Sequence, residues 1–324
     1  DMNHRILNLC NKILKEKFKK YFIGHIYREG EEKMNYFLEN DNLRIGTRTY
    51  GGELIAIHNK INGSEYLWDG NPEYWKYHAP ILFPIVGKVV DCKYRVDGKI
   101  YELPQHGLAR TSEFTLLEKK EDEITFELKY SDESLKVYPY KFLLKSNYKL
   151  EGNTVKVTYT VENVDDKKIY FSIGSHPAFL CPIDRKDNLI DCYIEFNERE
   201  TSKRIVINNE GYLSRTKIDC LENTNKINLS KELFKDDALV FNDLKSNKIT
   251  IKSNNNDKYL EVDFTGFPDM GIWAPKDGAP FVCIEPWFGH ADYEDFNGEF
   301  TEKEGVMPLN VGEKFTCTFS VTVK

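Results

Sequence analysis

The sequence predicts an all-β protein: a large antiparallel β-sandwich over residues 34–324, preceded by an amphipathic helical extension in residues 1–33. Three observations carry this expectation. Apolar residues alternate with period two after Met34, turn-forming dipeptides fall between the alternating runs, and helical periodicity is nearly confined to the first segment.

In that first segment Ile6, Leu9, Cys10, Ile13, Leu14, Phe18, Tyr21 and Phe22 recur at helical spacing. Lys12, Lys15, Lys17, Lys19 and Lys20 interleave with them, so a basic amphipathic helix is expected to end near Gly24. Such a helix can pack on the body of the protein or dock on a membrane surface or a partner, and the residues leave both readings open. After Met34 the period changes. Ile124, Phe126, Leu128 and Tyr130 alternate with polar neighbours, as do Val155, Val157, Tyr159 and Val161. Leu260, Val262 and Phe264 repeat the pattern, as do Phe315, Cys317, Phe319, Val321 and Val323. This is the signature of strands with one buried and one wetted face. Asn62-Gly63, Asp97-Gly98, Gly152-Asn153 and the polar cluster at 253–257 supply the turns. A short helix is expected around 229–234. Without repeats or a Pro-, Gly- or Ser-rich linker, the β region reads as one domain.

Composition narrows the function. The chain has 324 residues, 30% of them charged, and a formal net charge of −7. That balance excludes the basic surplus of a nucleic-acid binder and favours a small substrate recognised through hydrogen bonds. Cys10, Cys92, Cys181, Cys192, Cys220, Cys283 and Cys317 are scattered singly, without the paired spacing of a disulfide framework or zinc site. A reducing compartment is expected for them. No apolar run approaches a membrane span and the start lacks a signal-peptide stretch, so the expected address is the cytoplasm.

Four stretches interrupt the alternation with Gly, Pro, aromatics and polar groups: residues 83–88, 103–110, 174–179 and 281–292. Loops of this kind on a rigid β scaffold carry function. His106 sits between Pro104 and Arg110 with Gly107 beside it. His176 is followed by Pro177, which places it at a strand end, and an imidazole can donate a proton near neutral pH. Either histidine can equally be a satisfied structural residue. Glu285 closes the apolar run Phe281-Val282-Cys283-Ile284, where a carboxylate is costly to bury unless paired or functional. Trp287 and Phe288 after it offer an apolar surface for pyranose C–H groups; the plainer reading is a salt bridge under an aromatic cluster. Gly87-Lys88 lacks the upstream glycine of a phosphate loop, and no G-x-G-x-x-G, G-x-S-x-G or H-E-x-x-H occurs. His290 and Asp292 form only a weak metal-ligand pair, and no cofactor is expected.

Taken in order, Phe83-Pro84-Ile85-Val86-Gly87, Leu103-Pro104-Gln105-His106-Gly107-Leu108-Ala109-Arg110, Gly174-Ser175-His176-Pro177-Ala178-Phe179 and Ile284-Glu285-Pro286-Trp287 resemble the aldose 1-epimerase (galactose mutarotase) family, nearest its LacX-like branch. The resemblance runs from about Met34 to the C-terminus. It implies the galactose mutarotase-like β-sandwich, with an active site open on its concave face, and a hexose as substrate. It also implies that His176 is the general acid on the ring oxygen, Glu285 the general base on the anomeric hydroxyl, and His106 a substrate-holding histidine. Asp237, beside Asp236, matches a sugar-binding aspartate. Where the family usually carries an arginine after the glycine matching Gly87, this chain has Lys88, which lacks the planar fork of donors. Arg110 is a candidate to compensate. Three other readings stay open: a hexose-6-phosphate mutarotase, which needs a cationic cluster, a non-catalytic carbohydrate-binding or sensor protein, and a glycoside hydrolase pairing Asp237 with Glu285.

Overall fold

The computed structural model describes residues 34–324; the helix expected over residues 1–33 lies outside them. Strands form where the alternation ran. In Thr154–Asn163 the apolar positions Val155, Val157, Tyr159 and Val161 are buried while their neighbours are half-exposed. Lys314–Val323 behaves alike, with Cys317, Phe319, Val321 and Val323 inward. Asp97 and Gly98 take φ of 51° and 73° between Lys93–Val96 and Lys99–Glu102, the two left-handed residues of a type I′ hairpin. The expected short helix near 229–234 is a single 3₁₀ turn, Lys231–Phe234. A helical turn that the periodicity did not announce, Asp132–Val137, is held at its start by reciprocal hydrogen bonds between Ser131 and Ser134. Its six residues are too few to display a period.

Fifteen strands among the described residues form one sheet, and its pairings are antiparallel. In hydrogen-bonded order the path runs Ile81–Leu82, Ile173–Ser175, Phe281–Phe288, Asp269–Trp273, Leu239–Phe241, Cys192–Ile207, Lys248–Ser253 and Tyr259–Asp263. It continues through Lys314–Val323, Thr154–Asn163, Phe142–Glu151, Glu123–Lys129 and Thr115–Lys119. Ala178–Leu180 pairs with Phe281–Phe288, and Leu213–Asn228 with Cys192–Ile207, off this path. A three-stranded sheet, Asn35–Glu39, Leu43–Arg48 and Leu54–Asn59, lies apart from it.

So long a twisted sheet cannot stay open, because its apolar face would remain wet. It curls until the two ends of the path meet. The Tyr159 hydroxyl donates to Ser175 Oγ at 3.0 Å, and the rings of Phe83 and Phe142 stand 4.9 Å apart. The small sheet closes against the same interior, with Ser146 and the Tyr148 hydroxyl both donating to the Gly52 carbonyl. One continuous core results, built from inward residues of both sheets. Cys181, Cys192 and Cys317 are buried in it as free thiols; Cys283 is free and buried on the other face of its strand, and Cys92 and Cys220 are half-buried and free. No helix among the described residues is long and apolar enough to cross a membrane.

A buried ion pair ties the loops at one end of the central strands. Lys303 Nζ lies 2.8 Å from Asp292 Oδ1, and both side chains are nearly inaccessible, at 2% and 3% exposure. The ammonium also donates to the His290 carbonyl, while Asp292 Oδ2 accepts from the Val90 backbone N–H. Two loops far apart in sequence, 87–92 and 289–293, are thus pinned to one charge pair. Removing one partner strands the other in a dry site. Lys303→Met is expected to lower unfolding free energy by about 3–5 kcal/mol, with much of the loss recovered by adding Asp292→Asn. Urea denaturation of the wild type and the two variants measures both effects.

Candidate active site

The site is built on the strand Phe281–Phe288. Its even positions Val282 and Ile284 enter the main core. Phe281, Cys283, Glu285 and Trp287 point to the other face, so the strand's own period delivers a carboxylate between a thiol and an indole. The Trp287 ring needs room on both sides. A Cβ at Gly271, across the ladder from Glu285, would meet it at 2.4 Å, and one at Gly174, paired with Trp287, at 2.6 Å. Those two glycines hold the indole in a slot, where it is 7% exposed. Trp287 is therefore packing beside the carboxylate rather than an open sugar-facing platform. Phe288 points to the core side, against Phe267 and Phe315.

His176 follows Ile173–Ser175, and Pro177 ends the ladder there. Its backbone N–H donates to the Pro80 carbonyl at 3.0 Å. The imidazole stacks on Trp75 with ring centroids 4.8 Å apart, and meets Trp273 edge-on at 5.6 Å. Its Nε2 lies 3.3 Å from Glu285 Oε2.

His106 completes the group, its ring 5.4 Å from that of His176 at a near-right angle. Its position depends on a reciprocal pair of hydrogen bonds. The His106 N–H donates to the Gly87 carbonyl at 2.7 Å, and the Gly87 N–H donates to His106 Nδ1 at 3.1 Å. An acceptor at Nδ1 makes the ring neutral with its proton on Nε2, leaving that N–H as a donor. The loop chemistry explains the neighbouring residues. Gly107 takes φ of 73°, and a Cβ there would lie 2.3 Å from the Phe83 carbonyl oxygen. A Cβ on Gly87 would collide with Ala291 at 2.6 Å.

Burial governs the electrostatics. Loss of water pulls the His176 pKa down to about 3, with the Arg110 charge acting in the same direction. Desolvation holds His106 well below the usual imidazole value too, aided by His176 and Arg110. The Glu285 carboxyl is pushed well above its ordinary value, first by desolvation and then by the charge of Asp237, with the Trp287 indole N–H acting against both. Both shifts favour the neutral forms, a carboxylic acid beside a neutral imidazole. The sequence, read with reference pKa values, leads to the opposite distribution, a carboxylate and an imidazolium. The proton count is the same; burial changes which atom holds the proton.

The remaining expected residues divide. Asp237 is exposed, takes φ of 75° and receives the Ala238 N–H, and its charge reaches Glu285. Its neighbour Asp236 pairs instead with Arg204 at 3.3 Å. Arg110 lies near enough to lower both imidazoles, covers the Tyr77 ring at 4.9 Å and donates to the Gln105 carbonyl. Lys88 turns aside, donating to the Glu210 carbonyl at 2.9 Å over the Tyr212 ring. His290 and Asp292 do not offer a metal site: Asp292 is taken by Lys303, and His290 Nδ1 bonds the Ala291 carbonyl at 2.8 Å. Sequence reasoning missed Trp75 and Trp273, which flank His176. The cluster Tyr74-Trp75-Lys76-Tyr77 was the available signal for the first, a run of aromatics outside any strand pattern.

A carboxyl and an imidazole in contact, a neutral donor beside them and aromatic walls fit a class: a β-sheet enzyme that moves protons on its substrate. Known proteins specify which. The family model described as aldose 1-epimerase matches residues 34–307, and the chain belongs to that family. Its kinship is LacX-like: the chromosomal protein LacX of Lactococcus lactis is 34% identical over 90% of this chain and 99% of its own length. A galactose mutarotase related enzyme from Lactobacillus acidophilus superposes with a TM-score of 0.85 at 36% identity, covering 90% of this chain and 97% of that one. A galactose mutarotase-like protein from Lactobacillus casei gives the same TM-score at 28% identity, covering 90% and 100%. The protein is an isomerase of the mutarotase type.

The Trp287 slot gives a direct test. Gly271→Ala puts a methyl group into the indole, so the ring and the Glu285 carboxyl beside it must shift. The expected result is a stability loss of about 1–3 kcal/mol, with a fall in turnover larger than that loss explains. Thermal melts and mutarotation rates on one preparation measure the two effects.

Proposed function

We propose that Glu285 and His176 interconvert the α and β anomers of a hexose by passing one proton each way around the hemiacetal. The reading is carried by the 3.3 Å contact between His176 Nε2 and Glu285 Oε2 in a site that excludes water. The bound sugar places its anomeric hydroxyl and ring oxygen at this pair, and its hydrogen bonds support transfer of the shared proton from carboxyl to imidazole. Glu285, now a carboxylate, takes the proton of O1–H as the O1 electrons form the C1=O1 double bond. The C1–O5 bond breaks, and O5 leaves with its electrons and takes the proton from His176. Both residues end neutral, the state that burial favours, so ring opening discharges an ion pair in a dry site. Rotation about C1–C2 and the reverse transfers give the other anomer. His106 donates from Nε2 to the ring-oxygen side, and Asp237 and Arg110 contact hydroxyls. The sugar is recognised without a phosphate: Lys88 and Arg110 are each engaged with a backbone carbonyl and do not form a cationic cluster.

Polarimetry of freshly dissolved α-galactose and α-glucose tests the assignment. Glu285→Gln and His176→Asn are each expected to lower kcat by about 10²–10⁴-fold; near-wild-type turnover in either would sink it. His106→Asn should raise KM and lower kcat together.

The pH profile tests the proton sharing. The working form carries one proton on the pair, so activity fails when a second is added on the acid side or the last is lost on the alkaline side. With His176 held near 3, the acid limb lies below the ordinary imidazole value. The alkaline limb belongs to Glu285, which burial and, after it, the Asp237 charge push up. Asp237→Asn removes that charge, so the alkaline limb of kcat should move to lower pH while the acid limb stays. An unmoved alkaline limb would separate Asp237 from the proton chemistry.

A further inference from the structure

We propose that His176, Cys283 and Glu285 form a site for one thiophilic divalent cation of the Zn²⁺ or Cd²⁺ class, and that the cation shuts the enzyme off. The argument begins with a residue the proton chemistry does not use. Cys283 lies two positions before Glu285 on the same strand face and is fully buried as a free thiol. It packs with Trp68, Ala178, Leu180 and Phe281, beside Trp75 and Trp273, under the two proton-transfer residues. One ligand atom from each of His176, Cys283 and Glu285 lies within 4.8 Å of the other two.

The geometry suits a tetrahedral ion. Zinc bonds of ordinary length place neighbouring ligand atoms about 3.3–3.6 Å apart. The imidazole and carboxylate are already 3.3 Å apart, so the thiol needs to approach by only about 1 Å. Three protein ligands leave a fourth position for a water or a sugar oxygen, as in open zinc sites. Charge balance favours the complex. A dication held by one thiolate and one carboxylate is neutral overall, which is the inexpensive state in a dry site. Forming it releases the thiol proton and the pair's single proton to solvent. The thiolate selects against Mg²⁺ and Ca²⁺, which prefer all-oxygen shells. The bound ion takes the lone pairs that ring opening requires, so it competes with sugar.

The test uses the full chain, freed of metal with a chelator and titrated with Cd²⁺ in a non-coordinating buffer. Binding is read by equilibrium dialysis and by the ultraviolet thiolate-to-cadmium charge-transfer band; inhibition is read by polarimetry. The expected result is a tight site of one equivalent, growth of the band with occupancy, and at least about tenfold loss of rate, reversed by chelator and relieved by excess sugar. Mg²⁺ should do none of this. Cys283→Ser should keep the metal-free rate within about twofold, lose the band and weaken binding at least about tenfold. Cys283→Ala is the second variant if the serine destabilises the core, and His176→Asn should weaken Cd²⁺ binding without touching the thiol. A band and affinity unchanged by loss of Cys283, or full activity at saturating Cd²⁺, would overturn the proposal. The inhibition arm rests on the mutarotase assignment. Dialysis and the charge-transfer band do not, so an enzyme inactive on every hexose would still report whether the ion binds.

Discussion

The constraint on which this molecule is organised is the removal of a carboxyl group and an imidazole from water at one place on a sheet. Each is costly to bury in charged form and inexpensive in neutral form. Side by side, both are pushed toward their neutral forms. The proposed exchange of protons with a hemiacetal would use the neutral and the ionised distributions in turn. The energy difference between them is set by burial and by two outlying charges, Asp237 on the carboxyl and Arg110 on the imidazole. Both charges push toward the neutral pair. Burial and these charges outweigh the opposing hydrogen bond from the Trp287 indole, so the surroundings favour the neutral forms.

The scaffold's work is to hold that pair at contact distance without adding polar atoms. Glu285 is fixed by a ladder whose cross-strand neighbour is a glycine, because an indole occupies the space a side chain would take. His176 is fixed by stacking on Trp75, by an edge contact with Trp273 and by one backbone hydrogen bond. His106 is fixed by its exchange with Gly87. Behind that loop, Lys303 and Asp292 serve the backbone. That buried ion pair is thus structural, while His176 Nδ1 is left without a hydrogen bond.

Much of this was legible from the residues. Period-two alternation located the long strands, since a half-buried sheet leaves an imprint in every second residue. Gly-Ser-His-Pro and Ile-Glu-Pro-Trp stood out because proline and a charged group interrupt that imprint. Other features leave no such local trace. Trp75 and Trp273 approach His176 only through the curl of the sheet. Lys303 reads as an ordinary solvated lysine between Glu302 and Glu304, and its burial is a property of the packed loops. Trp287 looked like a sugar platform because the two glycines that enclose it lie 113 and 16 residues earlier in the chain. The proton's location depends on dielectric surroundings, which reference pKa values omit.

The order of the strands bears on how the molecule is made. Lys314–Val323 follows every other strand of the sheet in sequence, yet it lies mid-path, bonded on one side to Thr154–Asn163 and on the other to Tyr259–Asp263. Until it emerges, a nascent chain has two unpaired edges facing a gap, and the halves carrying the site have no continuous ladder between them. Exposed edges of that length invite pairing with other chains. The gap can be filled only after every other strand of the sheet has been synthesised, so this ten-residue strand acts as a keystone.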